Sequence, residues 1–174
     1  PYFDDIYYVG EIRRVSVVDL KKQYPNDVIQ TLARVIAETE RSIPAQQKPL
    51  PETVTKTADA ISHAVCEIAI DLNIKVVMTM THSGSTALMI ARYRPQTNLL
   101  ALTPFAHILR QLQIVWGVMA IKVEKYDNVD VVPNLCKSVL EEMQLIESGE
   151  RFVITGGVPM GVTGTTTYLS VQIR

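Results

Sequence analysis

Cysteine is scarce in this sequence, and neither sign of charge is in excess. The only cysteines, Cys66 and Cys136, lie far apart in apolar, helix-like surroundings without the spacing of metal ligands, so we predict buried free thiols. Seventeen Lys and Arg residues stand against eighteen Asp and Glu, a net charge of -1. This balance removes the electrostatic case for a nucleic-acid or anionic-membrane partner, although a small anion can still bind locally.

Long apolar runs are also missing. No run approaches the roughly 20 residues that a membrane span requires, and the acidic start at residues 1–5 differs from the basic start of a signal peptide. We therefore expect a cytoplasmic protein. A length of 174 residues suits one compact domain with a terminal extension and is too short for a catalytic barrel with added domains.

The 47% of hydrophobic residues can fill a core, and their spacing predicts alternating helices and strands. The pattern predicts an α/β fold of three layers, a mostly parallel five-stranded sheet with helices on both faces. No helix separates the last two strands, so they should pair antiparallel. The predicted strands are 75–80, 99–103, 117–123, 151–155 and 168–173, and the predicted helices are 25–41, 53–73, 84–93, 104–114 and 132–146.

Two parts of the chain lie outside this alternation. The Pro-rich stretch 42–51 is predicted to be an exposed linker. Residues 1–23 fit a strand or a docked arm equally well. We therefore divide the chain into an extension of unknown role at 1–23, a helix and linker at 24–51, and an α/β domain at 52–174.

A hydroxyl-rich turn follows the first strand of the sheet. Ligands bind at the carboxyl ends of parallel strands, and this turn leads directly into a helix. It can offer backbone N–H groups and hydroxyls to a phosphate, although Ser83 or Ser85 can equally be a simple helix cap. The residues concerned are Thr81, His82, Ser83, Gly84, Ser85 and Thr86.

A Gly-rich segment, 156–164, joins the last two strands. Its spacing imitates a dinucleotide-binding fingerprint, but a strand follows it where that fingerprint requires a helix, so we reject the match. Its glycines allow a tight connection, and Thr163, Thr165 and Thr166 can close over the anion of the first loop.

Other candidate residues favour packing over chemistry. Neighbouring His82 and Ser83 suggest a hydrolase, but there is no Gly-x-Ser-x-Gly elbow and no identifiable acid. His63 and His107 fall on predicted helices as packing or surface residues, and Trp116 is predicted to anchor the core.

Together these residues resemble the C-terminal domain of pyruvate kinases. The resemblance covers about residues 24–174 and starts at Tyr24-Pro25, which is similar to the start of that family's last barrel helix. Thr81 to Ala87 is similar to Thr-x-Ser-Gly-x-Thr-Ala, and Ala91 to Pro95 repeats Ala-Arg-Tyr-Arg-Pro. The remaining matches are Leu102-Thr103-Pro104, Arg110-Gln111-Leu112, Trp116-Gly117-Val118 and the closing Gly164-Thr165-Thr166.

The resemblance implies a regulatory role. In that family the hydroxyl-rich loop holds the phosphate of an allosteric effector, a sugar phosphate or a nucleotide, and the final Gly-Thr loop closes over it. Position by position, the role passes to residues 81–86 and to Gly161, Thr163, Gly164 and Thr165. The resemblance also implies a homodimer or tetramer that pairs through this domain, often by its C-terminal strand.

Departures from the family pattern limit what can be transferred. The family's Gly-Glu-Thr is missing before Tyr24, and the carboxylates, Lys and Arg of phosphoryl transfer are absent, so we expect no catalytic residues and no activity alone. The Mg²⁺ and K⁺ of the family belong to the catalytic barrel, and we expect no cofactor here. The loop after Val123 offers no clear Arg or Trp for a second phosphate, which favours a monophosphate. A stand-alone phosphate-ligand-binding protein of the same fold remains the alternative.

Overall fold

The computed structural model describes residues 6–8, 14–16, 26–42, 56–126, 128–158 and 166–174. The chain divides into two compact units, residues 1–46 and 47–174. The first unit contains strands β1 (Ile6–Tyr8) and β2 (Arg14–Ser16), which pair antiparallel, and helix α1 (Asn26–Ser42). Residues 1–23, for which the sequence allowed either a strand or a docked arm, thus contain two short strands. Residues 43–51 of the predicted linker lie outside the described residues.

The second unit is built on a five-stranded sheet. Its spatial order is β5-β4-β3-β6-β7, parallel throughout except for the antiparallel pair β6–β7. This confirms the predicted mostly parallel sheet and its antiparallel last strand. The strands are β3 (Val76–Met80), β4 (Asn98–Thr103), β5 (Val118–Lys122), β6 (Arg151–Gly156) and β7 (Tyr168–Ile173).

Helices cover both faces of this sheet, as predicted. Helices α2 (Thr57–Asp71), α3 (Ser85–Ala91) and α4 (Ala106–Leu112) bury their apolar residues with Val77, Ala101 and other alternate strand residues. On the opposite face, α5 (Val132–Met143) buries its apolar residues against Val76, Met78 and other strand residues that point to that side. All five residues of β3 are buried, because a central parallel strand is covered on both faces.

The four helices of the second unit end earlier than their apolar periodicity predicts. Gln144 adopts a left-handed conformation (φ 51°) that stops α5 at Met143, where the sequence pattern continues to Ile146. Ile146 is nevertheless buried in the same core as α5. The apolar pattern of the sequence therefore indicates which residues are buried, even where they lie beyond the end of the helix. No helix in the described ranges combines the length and the apolar character needed to cross a membrane.

The two cysteines occupy opposite layers of the core. Cys66 lies in α2 and Cys136 in α5, and both are fully buried free thiols, as predicted. Burial raises the pKa of each to about 12. Trp116, predicted as a core anchor, is only half-buried, and the Arg94 guanidinium lies 5.1 Å from its ring centroid. That residue anchors a surface cation–π pair instead.

Candidate functional site: the loop after strand β3

Residues 81–86 form a turn held mainly by its own first residue. Thr81 Oγ1 accepts a hydrogen bond of 2.8 Å from the Gly84 N–H, and the Thr81 N–H donates to the Leu102 carbonyl at 3.0 Å. Gly84 takes φ +81°, a conformation that glycine adopts without strain. Thr81 and Gly84 are buried, so they shape the loop, whereas His82, Ser83 and Ser85 are half-buried at its surface.

The two serines do not cap the helix. The N-cap of α3 is Gly84, and it makes no side-chain capping bond. Ser83 Oγ instead donates to Ser85 Oγ at 3.0 Å. A hydroxyl both donates and accepts, so this paired arrangement leaves the Ser85 proton free to bond to an anion. The capping alternative considered from the sequence is therefore not what the structure adopts.

A buried hydrogen bond joins this loop to Thr166, two residues beyond the Gly-rich segment. Thr86 Oγ1 and Thr166 Oγ1 lie 2.8 Å apart, eighty residues apart in sequence, and both residues are buried. The segment is also closed at its base, where Thr167 Oγ1 accepts from the Val158 N–H and donates to the Val158 carbonyl, each at 3.0 Å. Four candidate residues of this segment, Gly161, Thr163, Gly164 and Thr165, lie outside the described residues.

Aromatic rings border the loop, and the sequence alone did not predict that they lie together. The His82 ring centroid lies 5.5 Å from that of Phe105 and 5.7 Å from that of Tyr126, and Phe105 lies 5.8 Å from His107. Phe105 follows β4 and Tyr126 follows β5, so both lie at the sheet edge where ligands bind in such folds. Their positions after β4 and β5 were the signal in the sequence that could have identified them.

Tyr126 brings an unusual polar group to this cluster. The side chain is 6% exposed, and its hydroxyl has no hydrogen-bond partner among the described residues. Burial, with a smaller contribution from Cys136, raises the pKa of Tyr126 to about 12. The phenol is therefore a neutral donor at physiological pH.

The arrangement does not form the nucleophile pair of a hydrolase. The His82 ring lies against Phe105 and Tyr126, and the neighbouring Ser83 hydroxyl is directed to Ser85. Across the described ranges, no three His, Cys, Asp or Glu side chains are grouped to hold a metal ion. The described part of this loop thus presents hydroxyl groups and aromatic rings.

Comparison with known proteins places this fold in a family. The model of the pyruvate kinase alpha/beta domain matches residues 59–172. Pyruvate kinase of Staphylococcus saprophyticus is 31% identical over 156 residues, which is 87% of this chain and 26% of the relative. Pyruvate kinase of Staphylococcus aureus is 31% identical over 155 residues, 86% of this chain and 26% of the relative.

Solved structures agree with the sequence matches. A crystal structure of a Cryptosporidium parvum pyruvate kinase superposes with a TM-score of 0.71 at 27% identity, covering 86% of this chain and 30% of that one. The same organism's pyruvate kinase in complex with ADP gives a TM-score of 0.66 at 28% identity, with 85% and 30% coverage. The chain thus spans about a quarter of the length of its curated relatives. It belongs to the pyruvate kinase family, where it corresponds to the C-terminal alpha/beta domain.

Proposed function

We propose that this chain is the regulatory and subunit-pairing domain of a pyruvate kinase, the glycolytic enzyme that makes pyruvate and ATP from phosphoenolpyruvate and ADP. In this role it binds a phosphorylated allosteric effector at residues 81–86 and catalyses nothing alone. The observation that carries the proposal is the Ser83–Ser85 hydroxyl pair, half-buried on the loop and not used to cap α3. Mg²⁺ and K⁺ belong, in this proposal, to the catalytic part of the enzyme.

The Thr86–Thr166 bond supports the same proposal. It links the proposed effector loop to Thr166, two residues before strand β7. A single phosphate is favoured, because residues 81–86 contain no Lys or Arg to neutralise a second one. We also propose a cytoplasmic location, because the two free thiols of this chain are typical of a reducing compartment.

Strand β7 supports the pairing role. It ends the sheet, with β6 as its neighbour, and Val171 and Ile173 are 39% and 56% exposed. An edge strand with exposed apolar residues can add to the same strand of a second copy. We expect a homodimer, or a tetramer in the complete enzyme, and sedimentation equilibrium of the chain measures this directly. A monomer at all concentrations would contradict pairing through this domain alone.

Thermal unfolding tests effector binding. The chain is unfolded with and without glucose 6-phosphate, ribose 5-phosphate, fructose 1,6-bisphosphate and AMP. A ligand at about one hundred times its Kd stabilises the folded state by about 2.7 kcal/mol, which raises the midpoint by several degrees. Ser83→Ala together with Ser85→Ala should abolish the shift, because the variant removes both hydroxyls from the loop.

Ser138→Ala is the matched control for this experiment. Its hydroxyl is exposed and donates to the Asn134 carbonyl within α5, away from the loop. The control should keep the ligand-dependent shift. A shift that survives in the Ser83/Ser85 double variant, or that none of the compounds produces, would contradict an effector site at this loop.

A further inference from the structure

His82 is the one side chain within residues 81–86 that can carry a positive charge. The segment contains no Lys or Arg, and its other side chains are hydroxyls or the hydrogen of Gly84. Hydrogen bonds between a cation and an anion are roughly twice as strong as bonds between neutral groups. An imidazole becomes a cation only when it is protonated, and histidine is the side chain that changes charge between about pH 5 and pH 8. The charge of this loop therefore depends on pH.

Two aromatic rings fix the position of the imidazole. The His82 ring lies 5.5 Å from Phe105 and 5.7 Å from Tyr126 between centroids, with its plane tilted by 58° and 60° to theirs. A side chain that is already packed loses less conformational freedom when it meets a ligand. His82 is half-buried on the same loop surface as the Ser83–Ser85 hydroxyl pair. The imidazole is thus held in place before an anion arrives.

The groups behind His82 are neutral. Tyr126 reaches it from the loop after β5, and burial, with a smaller contribution from Cys136, raises the pKa of Tyr126 to about 12. Burial likewise raises the pKa of the Cys136 thiol, on α5, to about 12. Neither group therefore becomes an anion near neutral pH that could hold a proton on His82.

The neighbouring loops provide no ion pair to His82 either. Phe105, from the loop after β4, is the residue in contact, and His107 of that loop contacts Phe105 at 5.8 Å between ring centroids. Glu124 and Lys125, which precede Tyr126, are exposed and carry opposite charges. Among the described residues no carboxylate forms an ion pair with His82. A protonated His82 would therefore find its counter-ion in a bound anion.

We propose that His82, in its protonated form, supplies the positive charge for the anion bound at this loop, so that binding takes up a proton. This inference rests on the proposed function and concerns the regulation of the same site, whichever anion it holds. The affinity for the anion is highest below the imidazole titration and falls as pH rises through it. Acidification would thus strengthen binding without any change in ligand concentration.

Sulfate is the probe that isolates the charge of the protein. Phosphate groups change their own charge near pH 6 and would obscure the effect, whereas sulfate stays a dianion across the neutral range. The whole chain is titrated with sodium sulfate in a calorimeter at constant ionic strength, from about pH 5.5 to about pH 8.5. We expect sulfate to bind about 3- to 10-fold more tightly at the acidic end, the size of one charge-assisted contact that is partly exposed.

Two substitutions at His82 separate its charge from its packing. His82→Gln and His82→Lys both remove the ring contacts with Phe105 and Tyr126, but lysine keeps a positive charge across the whole range. The Gln variant should bind sulfate at every pH with the weak affinity that the unmodified chain shows at the alkaline end. The Lys variant should bind at every pH with the strong affinity of the acidic end. His107→Gln is the matched control and should keep the full pH dependence, because exposed His107 contacts Phe105 and lies outside the loop.

Proton NMR of the three histidines measures the coupling directly. Because linkage is reciprocal, saturating sulfate should move the midpoint of the His82 titration to higher pH and leave those of His63 and His107 in place. An unmoved His82 midpoint, or a pH dependence that persists in His82→Gln, would overturn the proposal.

The same titrations distinguish this inference from the proposed function. Sulfate that binds equally well at both ends of the pH range, or that fails to bind where the phosphate compounds bind, would overturn the role of His82 and leave an effector site in place. No binding of sulfate or of any phosphate compound at any pH would overturn the proposed function itself, and this inference with it.

Discussion

Gly84 is required in the candidate loop for its backbone conformation and for the close packing of its neighbours. Gly84→Ala should therefore destabilise the protein in both ways. Its φ of +81° is left-handed, and a Cβ built on it would lie 3.2 Å from Leu112 Cδ2 and 3.6 Å from Ile108 Cγ2. Leu112 is 2% exposed, so its side chain has little room to retreat. An alanine here therefore meets backbone strain and overpacking together.

Two other glycines isolate these effects. Gly149 has φ +86°, and no atom of the described residues lies within 4 Å of a built Cβ, so Gly149→Ala adds strain alone, about 1 kcal/mol. Gly156 has no positive φ, but a Cβ there would lie 3.1 Å from the Met80 carbonyl oxygen, so Gly156→Ala adds only a clash, about 1–3 kcal/mol. Gly84→Ala should combine the strain with a softer clash and cost about 2 kcal/mol.

Urea and thermal unfolding measure the three variants. At about 3 °C per kcal/mol for a chain of this size, the midpoint should fall by about 3 °C for Gly149→Ala and about 6 °C for Gly84→Ala. The phosphate-ligand shift should also shrink in Gly84→Ala and persist in Gly149→Ala, because only Gly84 belongs to the loop. Equal losses for these two variants would refute the packing argument, and no loss in Gly84→Ala would refute the loop geometry altogether.

Three further predictions follow from buried or paired groups. Thr86→Val or Thr166→Val alone should cost about 1–3 kcal/mol, because each leaves a buried hydroxyl unpaired, while the double variant should cost less than the sum in a urea double-mutant cycle. The Lys75–Glu150 hydrogen bond lowers the pKa of Glu150 below 4.5 and raises the pKa of Lys75 above 10.5. Stability from Glu150 is thus present above pH 4.5 and lost as pH falls through its lowered folded pKa; stability from Lys75 is present below pH 10.5 and lost as pH rises through its raised folded pKa. Glu150→Gln should flatten both declines in a pH series of urea midpoints. The two buried thiols, with pKa values of about 12, should resist a thiol-reactive dye at pH 8 until denaturant is added, and rapid native labelling would contradict their burial.

Much of the fold could be predicted because it depends on local patterns. Continuous apolar runs such as 76–80 are what a strand covered on both faces requires, and the structure buries all five of these residues. The absence of a helix before β7 was enough to predict its antiparallel pairing with β6. Helix ends were predicted less well, because single residues such as Gln144 stop a helix while the apolar pattern continues.

The candidate site could be predicted only in part, because half of it depends on distant contacts. The position of residues 81–86 between a strand and a helix could be predicted, because one continuous motif contains the whole turn. The Thr86–Thr166 bond and the contacts of His82 with Phe105 and Tyr126 join residues from separate strand ends. Nothing in the local sequence of Phe105 indicates that its ring lies beside His82. The three-dimensional sheet order is what brings these groups together.

One hydrogen bond links the proposed effector loop to the strand proposed to pair with a second copy. A ligand shifts an equilibrium only if it binds two states with different affinity. Thr86 belongs to the first turn of α3, while Thr166 lies two residues before β7, the edge strand proposed to pair with a second copy. If the proposed effector tightens the loop around Thr86, we expect it to act through this buried hydrogen bond on Thr166, which leads into β7. Because such coupling is reciprocal, pairing through β7 should change the affinity for the ligand by the same factor by which the ligand changes pairing.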